Sequence, residues 1–262
     1  MGEAGVVRQP VREEGLVGTL FLPDASAPRA AVLALGGAGG GLSEGAAETL
    51  AGEGFAALAL AYFGLDGLPR ELVEVPLEYF ERAIAWLGGH PELDAGRVAV
   101  VGNSKGGELA LLLGATYPRE VGAVVGYAPS PVVWQGIAFD REVYYGGPRS
   151  PWSLRGRAVP FVAWARPDAA EMILMAESFF EDRPISTRAF YERALRNEAA
   201  VAAASIPVEK VEAPVLLISG TDDRLWPSTR LSEMAIERLE ASGHPFPHEH
   251  LRYEGAGHMI AP

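Results

Sequence analysis

A serine between glycines, Gly102-Asn103-Ser104-Lys105-Gly106, stands where an apolar run, Val98 to Val101, gives way to an Ala/Leu-rich segment. A strand, a sharp turn and a helix in that order would lift the Ser104 hydroxyl above the carboxyl edge of a sheet. Glycines flank it because a side chain there would collide with the neighbouring strand or helix. A serine hydroxyl is a poor nucleophile until a base takes its proton, and a histidine base needs a carboxylate to fix its tautomer. Both follow downstream. The run Val215-Leu216-Leu217-Ile218-Ser219 leads into Gly220-Thr221-Asp222-Asp223-Arg224-Leu225-Trp226-Pro227, and Gly255-Ala256-Gly257-His258 comes after the next expected strand.

The order Ser, Asp, His is the one that α/β-hydrolases use, with each member on a loop at the same sheet edge. A lone G-x-S-x-G is a weak signal in a chain with 31 glycines. Its place after a strand, with two partners each beyond a strand of their own, makes it specific. Asp223 is preferred over Asp222 because it stands four residues before Pro227, a spacing that resembles the acid loop of many α/β-hydrolases. Ser104, Asp223 and His258 are thus the expected nucleophile, orienting acid and general base. The developing oxyanion needs two backbone N–H donors. One is expected from Lys105, directly after the nucleophile at a helix N-terminus. The other is expected from the glycine loop Gly36-Gly37-Ala38-Gly39-Gly40-Gly41, at Ala38 with Gly37 adjacent. That loop matches neither G-x-x-x-x-G-K-[ST] nor G-x-G-x-x-G in the required context, which argues against a phosphate loop.

Elements must bring these loops together. Short apolar runs at Leu16 to Leu22, Ala30 to Leu35, Phe55 to Ala61, Arg97 to Val101, Val121 to Tyr127, Pro214 to Ser219 and His248 to Tyr253 read as strands. Helical patterns cover Leu42 to Gly52, Leu72 to Leu87, Lys105 to Thr116 and Ser228 to Ala241. Alternation of the two predicts a mostly parallel sheet of about eight strands, covered by helices on both faces. The rhythm breaks over approximately 130–206, an aromatic-rich insertion expected to form a cap within a single domain spanning 1–262. At 262 residues and 48% hydrophobic composition one large core is affordable.

Composition excludes further chemistry. There are no cysteines, so disulfides, thiolate metal sites and a cysteine nucleophile are ruled out. A net charge of −12 argues against general nucleic-acid binding. No membrane span or basic, apolar leader is visible, and a cytoplasmic location is expected by default. His90, His244, His248 and His250 lack the context of His258. His248 and His250 would share one face of a strand, but with no third ligand they are expected to be solvated strand residues rather than a metal site. No metal and no cofactor are expected.

The segments Leu35 to Leu60, Leu77-Glu78-Tyr79-Phe80-Glu81, His90-Pro91-Glu92, Gly102 to Leu109, Ile206 to Lys210 and Leu225-Trp226-Pro227-Ser228 together resemble the catalytic domain of the acyl-CoA thioesterase and bile acid-CoA:amino acid N-acyltransferase family. The resemblance implies a serine hydrolase of acyl thioesters, with Ser104, Asp223 and His258 matching the family triad. In that family a serine nucleophile accompanies hydrolysis, so water is the implied acceptor. The family's closing helix is expected to be missing, truncated or replaced by a partner, and an exposed sheet end left there would favour a homodimer.

Between Arg141 and Arg166 stand five arginines, Arg141, Arg149, Arg155, Arg157 and Arg166, against one acid, Glu142. Arg155 and Arg157 are candidates to hold coenzyme A phosphates, with Trp152 among the aromatic residues enclosing an acyl chain; the bland reading is pairing with surface acids. The expected function is cleavage of a small-molecule acyl thioester or ester through an acyl-enzyme on Ser104. The alternatives are a general carboxylesterase or peptidase-like hydrolase, and a catalytically silent ligand-binding relative. Activity is expected to fall as His258 protonates on the acidic side of neutrality.

Overall fold

Eight strands pair into one twisted sheet in a computed structural model that describes residues 5–23, 30–93, 96–138, 146–165, 167–181 and 185–260. They are β1 (Val6–Val11), β2 (Val17–Pro23), β3 (Ala31–Leu35), β4 (Ala56–Ala61), β6 (Val98–Asn103), β7 (Val121–Tyr127), β10 (Val215–Gly220) and β11 (His248–Tyr253), in spatial order β1-β2-β4-β3-β6-β7-β10-β11. The first two pairings, β1 with β2 and β2 with β4, are antiparallel, and every later one is parallel. A smaller sheet joins β5 (Val75–Pro76), β8 (Trp152–Leu154) and β9 (Arg157–Ala158).

Central strands are apolar without alternation because both faces are covered. Every residue of β3 and β4 is buried. Leu33, Leu35, Leu58 and Leu60 face a core shared with α2 (Leu77–Gly88) and α3 (Lys105–Thr116), while Val32, Ala34, Ala57 and Ala59 face Ala47 and Ala51 of α1 (Glu44–Gly52). In α2 the residues Leu77, Phe80, Ile84 and Leu87 recur at three and four positions and form its buried stripe.

Two boundaries differ from those read in the sequence. Leu72 to Pro76 is not helical: Leu72 bridges to Ile137, Val75–Pro76 pairs with β8, and α2 begins only after Pro76, which lacks the N–H a helix interior needs. The edge strand β1 was not anticipated, since Arg8, Gln9 and Pro10 are exposed and give no apolar alternation.

The insertion contains β8, β9, α4 (Ala169–Phe180), α5 (Arg188–Ala194) and α6 (Glu198–Ala204). Its start is core rather than cover. Val133 and Trp152 join the main core, and Val132 and Trp134 pack with Val162, Ala194, Ala204, Trp226 and Leu231. The last helix, α7 (Ser228–Ala241), follows the acid loop. Among the described residues no helix is long and apolar enough to cross a membrane.

Candidate active site

The turn between β6 and α3 holds Ser104 at φ 56° and ψ −117°. A non-glycine residue there costs about 1–3 kcal/mol and persists only when its surroundings over-determine it. Here they do. The Ser104 N–H donates to the Tyr127 carbonyl (2.8 Å), and the Ser104 carbonyl accepts from the Glu108 N–H (3.0 Å). A Cβ on Gly102 would overlap the Gly106 carbonyl, and one on Gly106 would overlap the carbonyls of Leu35 and Gly36. The two glycines of the motif are therefore required by close backbone approach.

The candidate acid and base, Asp223 and His258, arrive on adjacent loops. After β10 and β11, the Thr221 N–H donates to Tyr253 (3.1 Å) and the Asp222 N–H to Ala256 (3.0 Å), while the Gly255 N–H donates to the Thr221 hydroxyl (2.9 Å). Gly220 permits this approach, because a Cβ there would overlap the Ala256 carbonyl. Asp223, 1% exposed, accepts from His258 Nδ1 at Oδ2 (2.8 Å) and from the N–H groups of Leu225 (3.0 Å) and Trp226 (3.2 Å) at Oδ1. An ionised carboxylate only accepts, so Nδ1 carries the proton and Nε2 is left to accept from the Ser104 hydroxyl at 2.9 Å. Asp222, by contrast, is exposed and pairs with Arg224 (3.1 Å).

The glycine loop borders Ser104: a Cβ on Gly37 would stand 3.2 Å from the Ser104 Cβ. The buried Tyr62 hydroxyl donates to the Gly36 carbonyl (2.6 Å), and burial pushes its phenol up, so it stays protonated as a donor. Lys105 opens α3, where its N–H has no carbonyl to bond within the helix.

Sequence reasoning missed several groups around this centre. The Asn103 amide donates to the Ile260 carbonyl (2.9 Å), and the Ile260 N–H donates to the His258 carbonyl (2.9 Å), which ties the histidine loop to the nucleophile turn. The Lys105 ammonium does not reach solvent; it pairs with Glu108 at 2.7 Å in the core. The triplet spacing of Lys105 and Glu108 ordinarily marks an exposed pair, and the apolar residues that follow were the available signal.

Other expected contacts fall elsewhere. Trp152 is fully buried and donates its indole N–H to Glu108 (2.9 Å), so it is a core residue and is not available to an acyl chain. Arg155, on the β8–β9 turn, and Arg157, at the start of β9, are exposed. The Arg155 backbone N–H donates to Glu78 (2.5 Å), and its charge acts on Tyr117 at the far end of α3. A helix rising 1.5 Å per residue puts that end about 20 Å from Ser104, toward the opposite sheet edge. Arg149 pairs with Glu74 (2.9 Å). Arg141, Glu142 and Arg166 lie outside the described residues. His250 is half-buried and bonds the Ser219 hydroxyl (2.8 Å), and His248 Nδ1 bonds the Phe246 carbonyl (2.9 Å), so neither is the freely solvated strand residue expected.

A mostly parallel sheet flanked by helices, with the turn serine, acid and histidine at its carboxyl edge, defines an α/β-hydrolase. Solved structures agree on the fold. MGS-M1, an alpha/beta hydrolase enzyme from a Medee basin deep-sea metagenome library, matches with a TM-score of 0.56 at 16% identity, covering 98% of this chain and 84% of that one. A puromycin-hydrolyzing peptidase of Mycobacterium tuberculosis matches with a TM-score of 0.61 at 17% identity, covering 98% of this chain and 36% of that one. The family model described as BAAT / Acyl-CoA thioester hydrolase C terminal matches residues 75–262, and the chain belongs to that family. It is 33% identical over 258 residues to the mitochondrial acyl-coenzyme A thioesterase 2 of Mus musculus, covering 98% of this chain and 51% of that protein. It is 32% identical over 263 residues to the peroxisomal succinyl-coenzyme A thioesterase of Mus musculus, covering 98% of this chain and 55% of that protein. The chain thus spans about half the length of the curated relatives it matches.

Proposed function

We propose that this chain hydrolyses acyl thioesters of the acyl-CoA class through an acyl-enzyme on Ser104. The observation that carries the reading is the unbroken line from Ser104 Oγ through the His258 ring to Asp223, at 2.9 and 2.8 Å. His258 Nε2 takes the hydroxyl proton as Oγ attacks the thioester carbonyl. The oxyanion lies against the backbone N–H groups of Lys105 and Ala38, with Gly37 beside them. Collapse breaks the carbon–sulfur bond, and His258 returns its proton to the departing thiolate. Water then loses a proton to the same nitrogen, attacks the acyl-enzyme and releases the carboxylic acid and Ser104. Asp223 keeps the ring in the tautomer both halves require.

The general carboxylesterase reading is the second candidate. It is favoured by Leu225 and Met259, apolar side chains 41% and 82% exposed beside Asp223 and His258, and by the distance of Arg155 and Arg157 from Ser104. Steady-state hydrolysis of short, medium and long acyl-CoA beside matched p-nitrophenyl esters, with wild type and Ser104→Ala, separates the two. An acyl-CoA preference abolished by the substitution supports the thioesterase, and ester turnover without that preference supports the esterase. Labelling of Ser104 by a phosphonate probe tests against a silent binding protein. A homodimer, which an exposed sheet end would favour, is tested by sedimentation at several concentrations.

A further inference from the structure

A catalytic ring is held by its hydrogen-bond partner and by what packs against it, and a supporting shell loose by 1 Å costs rate. Asp223 is the partner of His258; the packing group is Trp226. Its indole stands nearly perpendicular to the imidazole, 77° between planes, with centroids 5.7 Å apart. Trp226 is 2% exposed and pinned at several points. Its backbone N–H donates to Asp223 Oδ1 (3.2 Å), and its indole N–H donates to the carbonyl of Ala128, just beyond β7 (3.0 Å).

The same indole meets the Tyr191 ring of α5 at 5.7 Å and 86°. Tyr191 in turn meets Trp134 at 4.8 Å and Trp164 at 5.9 Å. An aromatic chain therefore runs from the insertion to the histidine. The residues that open α5 are also tied to the acid loop. The N–H groups of Thr187 and Arg188 donate to the Arg224 carbonyl (3.0 and 3.1 Å), the Thr187 hydroxyl to the Leu225 carbonyl (2.6 Å), and the Arg188 guanidinium to the Asp223 carbonyl (3.3 Å).

We propose that Trp226 is a positioning residue for His258, and that α5 acts through it on the rate of the chemical step. This rests on the hydrolase reading of Ser104, His258 and Asp223. Trp226→Leu removes the perpendicular ring and the indole donor. It is expected to lower kcat for acyl-CoA about 10- to 100-fold while KM stays within about twofold, as a misaligned base would. Trp226→Phe restores a ring and is expected to return kcat to within about fivefold of wild type. Tyr191→Leu, which leaves Trp226 in place, is expected to lower kcat about three- to tenfold, with little further effect in the Trp226→Leu background because the two act on one chain of contacts.

Labelling of Ser104 by a fluorophosphonate, measured on the same variants, needs His258 as base but no thioester. A wild type that is labelled but does not cleave acyl-CoA overturns the thioesterase reading alone, and the labelling rates then decide the positioning claim. Trp226→Leu labelled and turned over as fast as wild type, or altered in KM alone, overturns it. Should Trp226→Leu fail to fold, Tyr191→Leu decides by itself: slower labelling with intact folding supports the proposal, and a wild-type rate overturns it. A wild type that is neither labelled nor active overturns both.

Discussion

Lys105 and Glu108 form an ion pair with neither side chain in water, in the first turn of the helix that starts after Ser104. The ammonium sits 2.7 and 2.8 Å from the two carboxylate oxygens and 3.0 Å from the Trp134 carbonyl. The carboxylate also accepts from the Trp152 indole (2.9 Å) and the Trp134 N–H (3.2 Å). Burial pushes the Glu108 carboxyl up and the Lys105 ammonium down, and each charge opposes the shift of the other. Breaking such a pair is worse than replacing both members, because it strands one buried charge. Glu108→Gln is expected to cost about 3–5 kcal/mol in urea unfolding. Adding Lys105→Met removes the stranded ammonium while Gln still accepts from Trp152, so the double variant is expected to recover more than half of that loss.

The two neighbouring aspartates should separate cleanly in kinetics. Asp223→Asn leaves the ring position intact but presents an amide where His258 needs an acceptor, and loss of about 10⁴-fold in kcat is expected. Asp222→Asn touches only an exposed pair with Arg224, so activity within about threefold of wild type is expected. Comparable losses at both positions would show that the loop, rather than one carboxylate, carries the effect.

The nucleophile turn leaves no room for a methyl group. Gly102→Ala drives Cβ into the Gly106 carbonyl, so β6 and α3 must part. Loss of more than about 3 kcal/mol of stability is expected, together with loss of Ser104 labelling. Gly15→Ala is the control for a turn glycine with open space around it; its φ of 74° makes it mildly strained, but it lies away from the site.

His244 and His250 give the fold a pH dependence of known sign. Burial lowers both imidazoles below the ordinary value of 6.5; the Ala213 carbonyl opposes this at His244, and Glu233 opposes it at His250 while Arg252 assists. The unfolded chain then binds more protons near that value. The contribution of each histidine is present above pH 6.5 and is lost as pH falls through the lower folded value. Thermal unfolding between pH 7.5 and 5 is expected to show a falling Tm, and His250→Gln, which keeps a partner for the Ser219 hydroxyl, should flatten part of that fall.

The sheet and the loops that carry Ser104, Asp223 and His258 were legible because their signals are local. Central strands announce themselves as apolar runs, and Ser104 and Asp223 each follow such a run at the carboxyl end, while His258 follows the edge strand β11, whose residues are mostly polar. What stayed hidden depends on distant partners. β1 exists because its backbone pairs with β2 over Val6–Pro23, and nothing in Arg8, Gln9 or Pro10 marks it. Trp152 read as a ligand contact because an aromatic residue in an insertion has no visible partner in sequence, while its actual acceptor, Glu108, is 44 residues away. Trp226 was seen as part of an acid-loop pattern, but its contact with His258 follows only once two loops meet.

Arg155 and Arg157 supply the last test, because sequence and structure give different expectations for them. Their clustering in an otherwise acidic chain allows phosphate binding as well as pairing with surface acids, and on the first reading their joint removal should raise KM for acyl-CoA more than for an uncharged ester. In the fold both side chains are exposed, Arg155 on the β8–β9 turn and Arg157 at the start of β9, and Arg155 lies near Glu78 and Tyr117 beyond the C-terminal end of α3. Screening leaves an exposed arginine near carboxylates with little pull on a ligand elsewhere on the surface. Arg155→Ala/Arg157→Ala is therefore expected to leave KM for acyl-CoA and for the matched p-nitrophenyl ester within about twofold of wild type. A selective rise for acyl-CoA, increasing as salt is lowered, would instead mean that the coenzyme crosses the insertion to reach this turn, and would restore the phosphate role that the sequence suggested.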